Sequence, residues 1–476
     1  MNIRDIYWGE DSAELDEDLL EYFVYPSDFQ RLETFRKTFI VGRKGSGKSA
    51  IRKKLKDIFL KKDNHIIVEI IPTYTVIKSI CQDSDINANF SSDIFFQYVW
   101  LKYFCERALL KIGDAFQGRS VTGSFDFART YALQSGECNL DLVETISALI
   151  QKIKVKAGTL GELGLHIDNE LKQLTNTEAL KYHINKIAEK EHKIIYIIDD
   201  LDLGWDNSVT SNNLLLGLLL ASNHLKSLNS NIHTFVFIRD DIYKILMDLT
   251  QHSDKFRDIM YINWDIDKLK QVIDERIIFN YRSSKLEIPG DPFHEIFPNK
   301  IGTTFTMNWL NDRTLNRPRE LLQLCRTYTE NVPGTEPDQD VLKRIEEVYS
   351  NWKLDDLCSE FSNKYPDLSK LFNHWKANLF RIKYHLNQEE CEGIFLDILS
   401  KLDIEQNWYL DIKDNIDIDQ FLLMLYEMGF IGDFILGGQG GSKTVYSNDI
   451  NHTPKLQQIQ IHSCFRRAIG TVERIR

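Results

Sequence analysis

Eight consecutive residues, Gly42-Arg43-Lys44-Gly45-Ser46-Gly47-Lys48-Ser49, carry the densest chemistry in this chain. Glycines at the first, fourth and sixth positions allow backbone conformations and close approaches that a Cβ would obstruct. The preceding Thr38-Phe39-Ile40-Val41 is β-branched and aromatic, the pattern of a buried strand. Residues 50–60 read as a helix, with Ile51, Leu55, Ile58 and Phe59 on one face. A glycine loop between strand and helix aims successive backbone N–H groups at one point and forms an anion nest. That is the context of a P-loop. Gly42, Gly45, Ser46, Gly47, Lys48, Ser49 and Ala50 are expected to surround the β- and γ-phosphates of ATP. Lys48 would bridge phosphate oxygens and Ser49 would ligate Mg2+.

A second group of candidates ends a later apolar run. Lys193-Ile194-Ile195-Tyr196-Ile197-Ile198 reads as a central strand buried on both faces, and it stops at Asp199-Asp200-Leu201-Asp202. Carboxylates at the C-terminal end of such a strand lie where open α/β sheets bind ligands. This is a Walker B pattern. Asp199 would hold the Mg2+ shell through water and Asp200 would orient the attacking water. Asp202 is either a second polarising group or the cap of the next helix. Thr234-Phe235-Val236-Phe237-Ile238 makes another strand, ending in Arg239-Asp240-Asp241. Arg239 could sense the γ-phosphate, or it could pair with the neighbouring acids.

The elements that must position these groups are five strands, with 65–71 and 259–262 completing the set. A helical segment after each implies a doubly wound parallel sheet. One strand is expected between the P-loop strand and the Walker B strand. Residues 73–190 read as a mostly helical insertion. Residues 266–340 read as a helical lid containing Asn316-Arg317-Pro318-Arg319, with proline near a helix start. Arg319 is the preferred lid arginine over the nucleotide, Arg317 the second choice, and both could instead pair with Glu320. The clearest linker follows, at Val332-Pro333-Gly334-Thr335-Glu336-Pro337-Asp338. Beyond it, 341–476 reads as helices, then a two-stranded wing around a glycine-rich turn, and a last strand at 457–461.

Charge is unevenly spread. The chain of 476 residues has 58 basic and 70 acidic side chains, a net −12. That balance argues against bulk coating of nucleic acid, which needs surplus cations. Residues 1–34, an acidic arm, hold ten acids and two bases, whereas 36–62 hold eleven bases and one acid. The arm is expected to pack near the basic nucleotide site. No apolar stretch approaches the ~20 residues of a membrane span. The seven cysteines form no Cys-x-x-Cys pair, which fits reduced thiols. The expected setting is cytoplasmic, with no membrane contact.

These residues together resemble prokaryotic P-loop ATPases of the STAND and ORC/Cdc6-like branches of the AAA+ group. The resemblance rests on the P-loop with Ala50, on Asp199-Asp200-Leu201-Asp202, on Phe237-Ile238-Arg239 and on Arg317-Pro318-Arg319. Asp11-Ser12-Ala13-Glu14 and the late Ile461-His462 and Phe465-Arg466 also fit. It implies an α/β P-loop NTPase of the additional-strand type, with a helical insertion, a lid and a C-terminal winged helix. It also implies a nucleotide-dependent switch, often homo-oligomeric, with several lineages resembling antiphage defence components. Asp200 stands where glutamate is usual in the group and is one methylene shorter, which favours slow hydrolysis.

Other motifs fail. Asn185-Lys186-Ile187-Ala188 lacks the aspartate of a GTPase base-reading motif, and Leu436-Gly437-Gly438-Gln439-Gly440 lies on the wrong side of Walker B for an ABC signature. His452 with His462-Ser463-Cys464 lacks metal-ligand spacing. The expected function is an ATP- and Mg2+-dependent switch controlling assembly or a partner effector protein. An arginine finger from a neighbouring subunit would come from Arg257, Arg276 or Arg282. The rival is an ATPase that loads or remodels a partner on DNA through the winged helix, with Arg466, Arg467, Arg474 and Arg476 on phosphates. A kinase would need an acceptor pocket with a base, which the sequence does not display.

Overall fold

A computed structural model describes every residue except 85, 136–141, 158–176, 252, 438–440, 448, 450–451 and 473–476. Gly438 to Gly440 of the glycine-rich turn, Arg474 and Arg476 therefore lie outside the described residues. The chain divides into two compact units. One comprises Ser12–Leu20 and Tyr25–Asn263; the other comprises Met1–Asp11, Glu21–Val24 and Trp264–Arg476.

The first unit is an α/β P-loop fold. Its strands are β1 (Phe39–Val41), β2 (His65–Ile70), β3 (Lys193–Ile198), β4 (Ile232–Ile238) and β5 (Ile259–Tyr261), in the order β2-β3-β4-β1-β5. Every neighbouring pair is parallel. β4 is the expected strand between β1 and β3. All of β1 and all of β3 after Lys193 is buried, because helices cover both faces, and such strands carry unbroken apolar runs. Helix α1 (Lys48–Leu60) follows β1. Within the insertion, helix α2 (Asp93–Ala115) packs on α3 (Val209–Leu228). Trp100 Nε1 donates to the Leu214 carbonyl at 2.9 Å, and a Cβ on Gly217 would stand 2.6 Å from Phe96 Cβ. The two helices approach through that glycine.

The second unit is mainly helical. Its N-terminal strand of chain is held by a helix, Ile266–Ser283, whose Asn280 accepts from Tyr7 N–H and donates to Tyr7 C=O, both at 2.8 Å. Arg276 is buried there and donates to the Trp8 carbonyl at 3.0 Å and to Val272 at 3.1 Å. Those bonds occupy it within its own unit, so it is a poor arginine finger. A two-stranded hairpin, β6 (Lys300–Ile301) with β7 (Thr304–Phe305), precedes helix Pro318–Asn331, which has proline in its first turn. Farther along, β8 (His385–Asn387), β9 (Ile431–Ile435), β10 (Lys443–Val445) and β11 (Gln458–Ile461) form an antiparallel sheet in the order β10-β9-β11-β8. The sheet thus has four strands; β8, three residues long, joins the elements read from the sequence.

Helix Gln339–Glu360 buries an ionic cluster against Pro318–Asn331. Lys353, fully buried, lies 3.0 Å from Glu320 and 3.2 Å from Asp356. Arg317 Nη1 lies 2.7 Å from Glu360. Removing one member of a buried pair strands the opposite charge, which costs about 3–5 kcal/mol. Lys353→Ala is therefore expected to lower the urea midpoint by that much stability; an unchanged midpoint would show the cluster to be inert.

Candidate nucleotide-binding site

The loop after β1 is fixed by its neighbours. Gly42 N–H donates to the Ile238 carbonyl of β4 at 3.1 Å, and Ile262 N–H donates to Val41 at 2.9 Å. A Cβ on Gly42 would fall 2.5 Å from Ser46 Oγ and 3.0 Å from Ile262 Cδ1, so a larger residue there would displace the buried Ser46 side chain. Gly45 and Gly47 have φ of 77° and 96°, the left-handed region that glycine adopts without strain. Gly47 is the N-cap of α1, which has no side-chain capping hydrogen bond. The first N–H groups of a helix lack intrahelical partners and favour an anion. Ser46 is buried in the loop, and Ala50 lies in the first turn of α1. Lys48 Nζ donates to the carbonyls of Gly42 at 3.0 Å and Arg43 at 3.3 Å, so the lysine folds back over its own loop.

Asp199 ends β3 and is 2% exposed. Burial first, and then the charge of Asp200, push its carboxyl up to about 6, against the opposing pull of Lys48 and Arg52. Asp200 is also raised, again chiefly by burial. Its φ of 61° is unusual for a residue with a Cβ. The unfolded Asp199 ionises near 3.8. Between about pH 4 and about pH 6 Asp199 is therefore less protonated in the unfolded chain than in the folded one, and its contribution to stability falls as pH rises through that window. Asp199→Asn is expected to remove this contribution in the nucleotide-free protein, leaving a shallower pH dependence. Denaturant titrations at stepped pH check it, and parallel pH curves for variant and wild type would refute it.

The side chain that organises these acids is one that sequence reasoning missed. Arg52, one helical turn after Lys48, is 7% exposed. Its Nε lies 3.1 Å from Asp199 Oδ2, its Nη2 2.5 Å from Glu14 Oε1 and its Nη1 3.6 Å from Glu69 Oε1. The Asp199 contact is an ion pair without hydrogen-bond alignment; Nε and Oδ2 each lack a hydrogen-bonded partner. Glu69, in β2, also pairs with Lys56. The charge reversal between 1–34 and 36–62 was the signal available for this contact.

Arg239 takes the neighbouring-acid option. Its Nε and Nη2 donate to the two carboxylate oxygens of Asp241 at 3.0 and 2.6 Å, and its Nη1 lies 3.8 Å from Asp202. Arg43 pairs with Asp240 at 3.1 Å. Asp202 does not cap the next helix. A turn through Gly204, at φ 87°, intervenes, and Ser208 caps α3 by accepting from Ser211 N–H at 3.2 Å. Arg319 sits in the first turn of Pro318–Asn331, in the other unit, 3.7 Å from Asp356 and partly exposed. Arg317 is buried in the ionic cluster with Glu320 and Glu360.

The donor set fits Mg2+. That ion keeps several waters and is commonly held by one or two carboxylates together with substrate phosphates. Ser49 and Asp199 beside a phosphate nest supply that combination. The open first turn of α1 fits the phosphates of ATP.

Comparison with known proteins adds the following. The FunZ-associated C-terminal helical domain matches residues 267–358. The putative transposon gamma-delta 80.3 kDa protein of Escherichia coli strain K12 is 22% identical over 502 aligned residues, covering 96% of this chain and 66% of that protein. The chain thus spans just under two thirds of that relative's length. Among solved structures, the Aeropyrum pernix Orc1 protein in complex with DNA is 10% identical, with coverage of 96% of this chain and 94% of that one and a TM-score of 0.39. Cdc6p from Pyrobaculum aerophilum is 11% identical, with coverage of 96% and 97% and a TM-score of 0.32. Among the described residues no helix is long and apolar enough to cross a membrane.

Proposed function

We propose that the chain is an ATP-binding, Mg2+-dependent switch that hydrolyses ATP slowly and whose nucleotide state controls oligomer assembly or the docking of a separate effector protein. The observation that carries this reading is the sheet order. With β4 between β1 and β3, the glycine loop, Arg239 and the Asp199-Asp200 pair follow the C-terminal ends of three adjacent central strands that run parallel.

In this reading the N–H groups of Gly45, Gly47 and Ala50 bind phosphate oxygens, with Gly42 and Ser46 shaping the loop. Lys48 leaves the loop carbonyls for the β- and γ-phosphates. Bound Mg2+ supplies neutralisation of phosphate charge and would be held by Ser49 and Asp199. Asp200 orients the attacking water, from a side chain shorter than the glutamate usual in the resembling group. Turnover on the order of 10⁻² per second or less, as in switch NTPases, is the expectation. Arg239 reads the γ-phosphate by letting go of Asp241. Arg319 is kept as the lid arginine on its sequence motif alone. The antiphage setting likewise rests on the STAND and ORC/Cdc6 resemblance.

The C-terminal region is read as a winged helix that docks protein. Helix Ile418–Glu427 precedes the β9–β10 hairpin, as a recognition helix does. Its exposed residues are Asp419, Gln420, Leu423 and Glu427. None is basic, and phosphate contact needs cations. That weighs against the DNA-loading alternative. Mass measurement of the purified protein without nucleotide, with ATP and with ADP, alone and with the product of the adjacent gene, tests the switch. ATP is expected to change the mass of the particle. A constant mass in every state would contradict the proposal.

A further inference from the structure

A stretch ahead of the P-loop, residues 12–16, lies against α1 of the same unit. Lys53 Nζ donates to the carbonyl of Ala13 at 3.2 Å and to that of Asp16. Asp16 is 2% exposed, and its N–H closes a turn onto the Ser12 carbonyl at 3.3 Å. This turn presents Glu14. The carboxylate accepts from Arg52 Nη2 at 2.5 Å. Burial raises its pKa, but its own backbone N–H, Arg52 and Ser49 outweigh that and hold the group below the ordinary glutamate value. It is therefore an anion at neutral pH.

The same carboxylate fastens the far end of Arg52, whose Nε stands on Asp199. Glu14 thus reaches, through a guanidinium, a group expected to hold the metal.

We infer that residues 12–16 are a built part of the metal–nucleotide site, with Glu14 the positioning residue that anchors Arg52 over Asp199. The inference rests on the ATP-binding reading and deepens it. Groups that orient a metal's ligands typically contribute 10–100-fold in metal affinity. The effect belongs to the metal-dependent part of binding, which a purely structural role would not single out.

The test is equilibrium binding of a fluorescent ADP analogue to the full chain, in Mg2+ and in EDTA, for wild type, Glu14→Ala and Glu14→Gln. Glu14→Ala is expected to lose about tenfold or more in Mg2+ and to change less than about twofold in EDTA. Glu14→Gln, whose amide oxygen can still accept from Arg52, is expected to recover part of the loss. Equal losses in Mg2+ and EDTA, or no loss in Mg2+, overturn the inference and leave the nucleotide site standing. If wild type shows no saturable binding in either buffer, the ATP-binding reading falls and this inference falls with it.

Discussion

Lys48→Ala is expected to weaken binding of ATP in Mg2+ by about a hundredfold or more, a loss of roughly 2.7 kcal/mol. The lysine is a compact point charge at the end of a flexible stem, and its hydrogen bonds in the nucleotide-free chain go only to loop carbonyls, Gly42 and Arg43. Those neutral partners are exchanged for phosphate oxygens on binding, and charge-assisted bonds of that kind contribute about 1.5–3 kcal/mol. Folding should change little, because the side chain is only partly buried and no carboxylate depends on it as its main partner. Titration calorimetry with a thermal melt of the same samples separates the two effects. A variant that binds ATP like wild type would remove Lys48 from the site.

Arg52→Ala carries the second large effect, and here the loss is of stability as well as binding. Arg52 is the cation between Asp199, Glu14 and Glu69. Deleting it leaves Asp199, 2% exposed, without its ion-pair partner. Stranding a buried charge in this way costs about 3–5 kcal/mol. The carboxyl would answer by holding its proton to higher pH, so the deficit should shrink as pH is lowered towards 5. Mg2+ should restore stability to the variant more than to wild type when nucleotide is present, since it supplies the missing positive charge. Denaturant midpoints at pH 5 and pH 8 measure the first effect. Equal deficits at both values would mean that Arg52 contributes packing and not charge.

The parallel sheet was legible because buried strands leave unbroken β-branched runs. Lys193 to Ile198 reads as a central strand from its apolar run alone, and a strand is expected between it and the P-loop strand; that this strand is β4 is visible only in the pairing. The glycine loop was legible for a stricter reason: Gly42 abuts Ser46, and Gly45 and Gly47 take positive φ, so each spacing is a steric requirement. Arg52 was not legible. On a helix whose sequence reads Lys-Ser-Ala-Ile-Arg-Lys-Lys-Leu-Lys, one basic residue among five looks like any other solvated charge. Its partners come from residues 14, 69 and 199, which only the fold brings together. Glu14 was hidden likewise in a run of acids, visible as a charge block and not as a contact. Arg239 was left between two options, and the acid two residues ahead took it because a helix start presents both side chains together. β8 leaves no signal in the sequence because only one of its three residues, Leu386, is buried, whereas all three of β1 are.

The account stands on one claim, that the loop and the acids of β3 hold a nucleotide with its metal. Titration calorimetry of the wild-type chain with ATP in Mg2+ addresses it directly. One saturable site per chain is predicted, displaced by ADP and not by adenosine, because the phosphates make the contacts. Absence of saturable binding at millimolar ATP, or equal displacement by adenosine, would contradict it.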